Sequence, residues 1–355
     1  MDKIGLITFH DTTNFGSLLQ TFGLYKKIND LGFDCEVIDY QCANIVKREI
    51  PQPFKFTFNI RDLIREFTSG RIKRKKYNAL HAFLQLNIKL SKRCDKETIA
   101  SLKHEYDKFV IGSDITWGMD IIDSDTTYFL DFENDKQKKT AFAASVGNPW
   151  SEDDKKLIKP LLQDFQYVAV REEESADWVE ELTGKRPNVV CDPTMLLTGA
   201  EWMKYCSSIY DKSNYVLVYF DNSNGDCVET AKEYAKKYNL RVKLIGYGRP
   251  RADVDIVRPY SLDDFLSLIY NASFVVTASY HGMLFSIYFN KNFAYFNRAH
   301  KSRMNTLAAK LGVKDREGSE YNVLDMMPVN YSKVNALVDK YRDYSLECLK
   351  YLLTR

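Results

Sequence analysis

The stretch Thr277 to Asn297, TASYHGMLFSIYFNKNFAYFN, sets one histidine, His281, between the apolar run FVVTAS and the helix-like MLFSIYF. An imidazole exchanges protons near neutral pH, so a histidine held at such a junction is a candidate general acid or base. Gly282, directly after it, would let a ligand approach closely, and Ser279 adds a hydroxyl just before it. A lone histidine is more often structural, and His81, His104 and His300 are read that way by default. His281 differs in its place, because a strand end that turns into a helix start is where open α/β folds present chemistry.

Other chemistry-bearing residues also gather at strand ends. TFHDTTNFGSLLQTFGL puts His10, Asp11, Asn14 and Gly16 in a loop between the first strand and its helix, with Ser17 near the helix start. Backbone N–H groups and the positive end of the helix dipole there can take an anion or a cluster of sugar hydroxyls. The competing reading is a loop that merely turns the chain, since no GxGxxG fingerprint is present. VIGSDITW raises the same pair of readings for Ser113 and Asp114, whereas Trp117 is expected to be buried against the sheet. In YVAVREEESADWV, Arg171 could clamp a carboxylate or phosphate through two parallel hydrogen bonds, or pair with Glu172, Glu173 or Glu174. Arg303, in KSRMNTLAAKLG, carries the same ambiguity, with Lys301 nearby. The run RIKRKK, Arg71 to Lys76, is read first as the wet face of a helix and second as a surface near a lipid-linked or anionic substrate. No carboxylate or histidine cluster demands a metal.

The elements that must position these groups alternate. KIGLITF, the helix Ser17 to Asp30, CEVIDY, KFVIGSD, KTAFAAS, the helix Asp153 to Phe165, YVAVR, the helix Glu172 to Thr183 and NVVCDP form one series. A second restarts at NYVLVYF and runs through RVKLIGY, the helix Ser261 to Asn271, FVVTAS and FAYF. Such alternation predicts mostly parallel sheets covered by helices. The expected fold class is α/β, with two Rossmann-like domains in a GT-B-like arrangement and a ligand cleft between them. The expected domains are residues 1–197, the acceptor side, and 198–331, the donor side. Residues 332–355 are expected to form a C-terminal helix packing back on them.

The chain has 355 residues, 45% hydrophobic and 28% charged, long enough for about two domains. A net charge of +2, from 50 basic and 48 acidic side chains, gives no global drive toward nucleic acid or a membrane surface, so any anion site must be local. Seven scattered cysteines without a CxxC pair show neither zinc spacing nor a disulfide framework, which fits a reducing cytoplasm. No signal peptide is recognisable and no apolar stretch approaches the roughly 18 residues of a membrane span. The expectation is a cytoplasmic protein, with room for peripheral contact at the inner face of the membrane.

In order along the chain, KIGLITFHDTTNFGSLLQTFGLYKKINDLGFDCEVIDY, FVIGSDITWGMD, KKTAFAASVGN, VAVREEES, VVCDPTMLLTGAEW, ASYHGMLFSIYFNKNFAYFN and SRMNTLAAKLGV closely resemble the polysaccharide pyruvyl transferase family. The match runs from Lys3 to about Arg316. The resemblance implies a phosphoenolpyruvate donor and transfer of pyruvate, as a ketal, onto a sugar of a bacterial surface or cell-wall glycan. It implies no cofactor beyond that donor substrate. SYHG is similar to the family's Ser-aromatic-His-Gly element, which makes His281 the general acid/base, and VAVRE makes Arg171 the clamp. Where some family members carry a lysine, spacing back from LGV lands on Arg303, so Arg303 or Lys301 takes that role, and an arginine cannot donate a proton at neutral pH. Two other classes stay open: a GT-B glycosyltransferase using a nucleotide sugar, since fold does not fix function, and a non-catalytic member that binds donor or glycan.

Overall fold

The computed structural model describes residues 2–51, 70–207, 214–221, 225–297 and 302–355. The chain divides into two compact units. Of the described residues, 2–51, 80–197 and 341–355 belong to the first and 70–79, 198–207, 214–221, 225–297 and 302–340 to the second.

The first unit holds a six-stranded sheet of β1 (Lys3–Ile7), β2 (Asp34–Val37), β3 (Lys108–Ile111), β4 (Lys139–Ala144), β5 (Tyr167–Val170) and β6 (Asn188–Val189), in the order β2-β1-β3-β4-β5-β6. Every neighbouring pair is parallel. Central β3 and β4 are buried along their whole length, as strands covered by helices on both faces must be. The core on one face gathers Ile7, Ile38, Phe109, Ile111 and Val170 around Trp117, which is fully buried and donates its indole N–H to the Tyr128 carbonyl. The tail of the final helix, Tyr341 onward, belongs to this unit: Arg342 Nε donates to the Met195 carbonyl (2.6 Å) and Ser345 Oγ accepts from Cys191 N (2.9 Å).

The second unit holds β7 (Tyr215–Tyr219), β8 (Arg241–Ile245), β9 (Asp255–Val257), β10 (Phe274–Thr277) and β11 (Phe293–Tyr295), again all parallel, in the order β11-β10-β7-β8-β9. The three-residue β9 was not legible in the sequence, because DVDIVRP is too short and too charged to read as a strand.

Strand order fixes where a ligand crevice can open. In each sheet the chain starts in the middle, works outward to one side and then returns to build the other. The loops at that reversal diverge and leave a gap at the carboxyl edge. In the first sheet the reversal lies between β1 and β3; in the second it lies between β7 and β10.

Candidate functional site

His281 stands at the second of these reversals. Thr277 ends β10, donating its hydroxyl to the Tyr219 carbonyl on β7 (2.5 Å) and accepting from Ser279 N (3.0 Å). Ser279 caps the helix Tyr280–Tyr288, its hydroxyl accepting from Gly282 N (3.2 Å). The cap consumes one helix-start donor and brings the positive end of the dipole to the strand end. His281 lies in this first turn, partly exposed, its ring edge-on to Tyr280 with centroids 5.6 Å apart. On the β7 side, Phe220 has a left-handed backbone (φ 56°) and is 43% exposed, while its carbonyl accepts from Ala278 N and ties the two strand ends together.

The structure revises the reason for Gly282. This glycine is buried, and a Cβ there would lie 2.3 Å from Thr277 Oγ1 and 2.9 Å from Tyr219 Cδ1. The missing side chain lets the helix sit down on β10 and β7; the close neighbour is the sheet and not an open ligand space.

Two further groups of cations occupy the same edge. The helix Ser302–Lys310 carries half-buried Arg303 and is anchored to the end of β11 through Asn305, whose side-chain oxygen accepts from Tyr295 Oη (3.1 Å) and Asn297 Nδ2 (2.9 Å). Lys301 lies outside the described residues. Beyond the ends of β8 and β9, Lys76 Nζ sits 4.6 Å from the Tyr247 ring centroid and Lys75 Nζ 4.1 Å from that of Tyr260. The RIKRKK run is therefore more than a wet face, since two of its ammonium groups rest on aromatic rings. Burial pushes the Tyr247 phenol well up, so it stays neutral beneath its lysine.

At the carboxyl edge of the first sheet the groups are of another kind. The helix starts earlier than the sequence reading places it, at Phe15, because Asn14 is the cap: its side-chain oxygen accepts from Gly16 N (2.9 Å). Gly16 is buried in the first turn. Ser113 is fully buried, its hydroxyl on the Ala143 carbonyl (2.8 Å) and its N–H on Gln20 Oε1 (3.1 Å). Asp114, with φ 71°, takes the Ser17 hydroxyl on one oxygen and its neighbour's N–H on the other, tying the chain just after β3 to the first turn of the helix that follows β1. The loop between them is pinned by Glu49, one of whose oxygens accepts from both hydroxyls of Thr12 and Thr13 and from Thr13 N.

Two histidine–carboxylate pairs flank this loop. His10 is 3% exposed and points Nε2 at Asp39 (3.2 Å) and Nδ1 at the Thr8 carbonyl (3.3 Å). Burial pushes the Asp39 carboxyl up, but hydrogen bonds and charge from His10 and Arg93 outweigh it and hold the group below its ordinary value. His81 points Nδ1 at buried Asp11 (3.1 Å) and Nε2 at the Gln85 amide (2.9 Å). A cavity of about 360 Å³ is lined by Tyr40, Gln41, Asn44, Asp95, Asp123 and Asp125 among others.

Arg171 follows β5 and is 6% exposed. Of its two readings, the structure shows an ion pair: Nε meets Glu172 (2.6 Å) and Nη1 meets Asp192 (2.9 Å), both carboxylates themselves buried. Two anions already surround this guanidinium, which removes the local positive potential that a clamp would need.

The first sheet's edge thus gathers Asn14, Gly16, Ser113 and Asp114, and the second's gathers Ser279, His281, Gly282 and Arg303. Sequence reasoning singled out neither Asp39 nor Glu49, read His81 as structural, and saw the lysines of RIKRKK without their tyrosine partners. Their partners lie tens of residues away, and no spacing rule links them. Among the described residues, no group of three or more histidine, cysteine or acidic side chains is placed to hold a metal ion. No helix among them is long and apolar enough to cross a membrane.

Comparison with known proteins adds three findings. Among solved structures, a UDP-N-acetylglucosamine 2-epimerase is 9% identical, with 99% of this chain and 95% of that one covered and a TM-score of 0.52. A putative UDP-N-acetylglucosamine 2-epimerase from Listeria monocytogenes is 10% identical, with coverage of 98% and 91% and a TM-score of 0.51. At such identity the likeness bears on the fold alone, that of GT-B-type proteins with two Rossmann-like domains. A comparison with curated proteins finds no match. The model of the polysaccharide pyruvyl transferase family matches residues 14–300.

Proposed function

The chain belongs to the polysaccharide pyruvyl transferase family, and from that membership we propose that it moves pyruvate from phosphoenolpyruvate onto two hydroxyls of one sugar in a bacterial surface or cell-wall glycan. The observation that carries this reading to particular residues is the seat of His281, in the first turn of a helix at the reversal point of the second sheet.

The reaction sets the requirements. A sugar hydroxyl adds to C2 of the enol, C3 takes a proton and becomes the methyl group, and a second hydroxyl of the same sugar displaces phosphate. Of the two hydroxyl protons, the balance leaves one on carbon and one with phosphate. A proton donor and cations for two anionic groups are therefore needed. His281 is the proton donor to C3. Ser279 and the helix start it caps, together with Arg303 or Lys301, receive the carboxylate and phosphate. Gly282 serves by holding this helix against β10 and β7, which sets the position of His281. Asp114, beside the Asn14 cap, offers a carboxylate acceptor to sugar hydroxyls, whereas Ser113 and Gly16 build the backbone that holds it. Arg171 is assigned to the framework because its charge is matched by Glu172 and Asp192. No cofactor and no nucleic-acid partner enter this scheme. Phosphoenolpyruvate is a cytoplasmic metabolite, so the work is placed in the cytoplasm, with a lipid-linked acceptor reached at the inner face of the membrane.

The test incubates the protein with phosphoenolpyruvate and a panel of lipid-linked and nucleotide-linked glycans, read by mass spectrometry. A glycan that gains one pyruvate ketal, with release of one phosphate, is the expected result. Transfer should fall about 100-fold or more in His281→Asn while thermal stabilisation by phosphoenolpyruvate persists. Stabilisation by UDP- or GDP-sugars but not by phosphoenolpyruvate, with no ketal formed, would overturn the reading in favour of a glycosyltransferase.

A further inference from the structure

We propose that His81, oriented by Asp11, is the general base that takes the proton from the attacking sugar hydroxyl; this rests on the pyruvyl transfer reading above. Three histidines of the described chain stand near a sheet edge, and their hydrogen bonds sort them. His10 has acceptor oxygens at both ring nitrogens, the Thr8 carbonyl and Asp39, so both bonds are made only when both nitrogens donate. Such a ring has no lone pair to offer and is almost wholly buried. Its two ring nitrogens are both engaged, by the Thr8 carbonyl and by Asp39, and it is read as a structural partner of Asp39.

His81 is wired the other way. A carboxylate can only accept, so the proton of the neutral ring sits on Nδ1, facing Asp11 at 3.1 Å. The Gln85 amide donates to Nε2 at 2.9 Å, which places the lone pair there. The His81 side chain is 24% exposed and that of Asp11 only 7%. A buried carboxylate that fixes the tautomer of a partly exposed imidazole is the base-and-orienter arrangement that nucleophile activation uses. Gln85 is an exposed residue on the same helix, one turn on, so its contact with the ring is a surface one that solvent contests. A hydroxyl donating to Nε2 replaces that amide at little cost.

The support behind the pair is rigid. Asp11 sits in the loop after β1, at the reversal point of the first sheet. The next residues, Thr12 and Thr13, are bound to Glu49, and Thr12 Oγ1 also accepts from Asn14 N (2.9 Å). Burial pushes the Glu49 carboxyl up, but the Thr13, Arg48 and Thr12 contacts outweigh it and keep it ionised as an anchor. The loop that aims Asp11 is therefore tied at both ends of its polar run.

In the step itself, the O–H bond of the sugar breaks and its proton passes to His81 Nε2. The freed electron pair forms the bond to C2 of the enol, whose π pair takes a proton at C3. The oxygen of the second hydroxyl then forms its own bond to C2 as the C2–O bond to phosphate breaks with both electrons, and its proton leaves with the phosphate; the proton held on His81 is lost to solvent, and His281, which supplied the one at C3, regains one from solvent. His81 is thus a catalytic residue that touches the acceptor, and Asp11 is a positioning residue behind it.

The experiment uses the full chain, phosphoenolpyruvate and the glycan from the panel above that gains pyruvate. His81→Gln should lose about 100-fold or more in kcat, with KM for phosphoenolpyruvate and stabilisation by it unchanged. Asp11→Asn should lower kcat at unchanged KM, because an amide can favour the wrong tautomer. Added imidazole should restore part of the turnover of His81→Ala, which a structural role would not permit. Wild-type turnover in His81→Gln, or a loss that follows unfolding in His81→Gln and Asp11→Asn alike with no rescue by imidazole, would overturn the assignment while leaving pyruvyl transfer intact. If no glycan gains pyruvate with the wild-type protein, the functional reading fails first and the base assignment falls with it.

Discussion

Replacing Gly282 with alanine separates two explanations for a glycine beside the proposed acid. The added Cβ would stand 2.3 Å from Thr277 Oγ1, against a practical floor of 3.0 Å, so something must move by 0.7 Å (3.0 minus 2.3). The hydroxyl cannot simply turn away, since it donates to the Tyr219 carbonyl and accepts from Ser279 N. Losing both bonds costs about 1–3 kcal/mol, and shifting the helix instead costs a similar amount, about 1–3 kcal/mol. Better helix propensity returns at most about 1 kcal/mol, which against the middle of that range leaves a net loss of about 1 kcal/mol (about 2 minus about 1). Urea denaturation followed by circular dichroism reads that loss directly. The same change made on a Thr277→Ala background should cost less, because the worst clashing atom is gone and Tyr219 Cδ1, at 2.9 Å, lies only just inside the floor. Neutral or raised stability in Gly282→Ala, combined with lost stabilisation by phosphoenolpyruvate, would refute the packing argument and return Gly282 to the ligand.

Three other outcomes follow from the same geometry. Arg171→Met strands Glu172 and Asp192 without their cation and should destabilise by about 3–5 kcal/mol in denaturation; normal stability with weakened phosphoenolpyruvate binding would restore the clamp. Arg303→Ala should weaken phosphoenolpyruvate binding about tenfold or more by calorimetry, the loss of one charge-assisted bond, and unchanged affinity would remove it from the donor set. Asp39, held below its ordinary value once folded, contributes stability that is present above about pH 4, where the unfolded carboxyl ionises, and lost as pH falls through its folded value. Asp39→Asn should therefore flatten the acid side of a stability-against-pH curve, and an unchanged acid limb would show that His10 and Arg93 do not carry that term.

The parallel α/β class was legible because buried strands such as KFVI and KTAFAA are short apolar runs separated by helical periodicity, and that pattern survives without knowledge of partners. What was not legible depends on distance along the chain. Asp192, which fixes Arg171, lies 21 residues on, and Asp11 lies 70 residues from His81. Sequence reasoning set His81 aside as structural because nothing near it in sequence explains it. It also read the start of one helix late, since Asn14 looks like loop until its side chain is seen on Gly16 N. The helix that carries RIKRKK was placed wholly in the first domain, whereas its described residues through Ala79 belong to the second unit, where Lys75 and Lys76 find Tyr260 and Tyr247. Cation–aromatic pairing across so many residues leaves no local signature.

Loop length after the strand at each sheet's reversal point decides what that edge can bind. Between the end of β10 and the capping Ser279 stands Ala278 alone, so the helix start is delivered directly to the strand end, and its dipole, with Arg303 on the next helix, favours an anion. Between the end of β1 and the capping Asn14 stand residues 8–13, long enough for His10, Asp11, Thr12 and Thr13 to interpose. These side chains recruit Asp39, His81 and Glu49 and build the edge from hydroxyls, carboxylates and imidazoles, His10, Asp11, Thr12 and Asp39 buried and His81 partly exposed. Such an edge exchanges hydrogen bonds with a polyol and repels phosphate. Under the proposed function, one fold repeated twice thus presents one edge to the phosphoenolpyruvate donor and one to the sugar acceptor, through the spacing between strand end and helix cap.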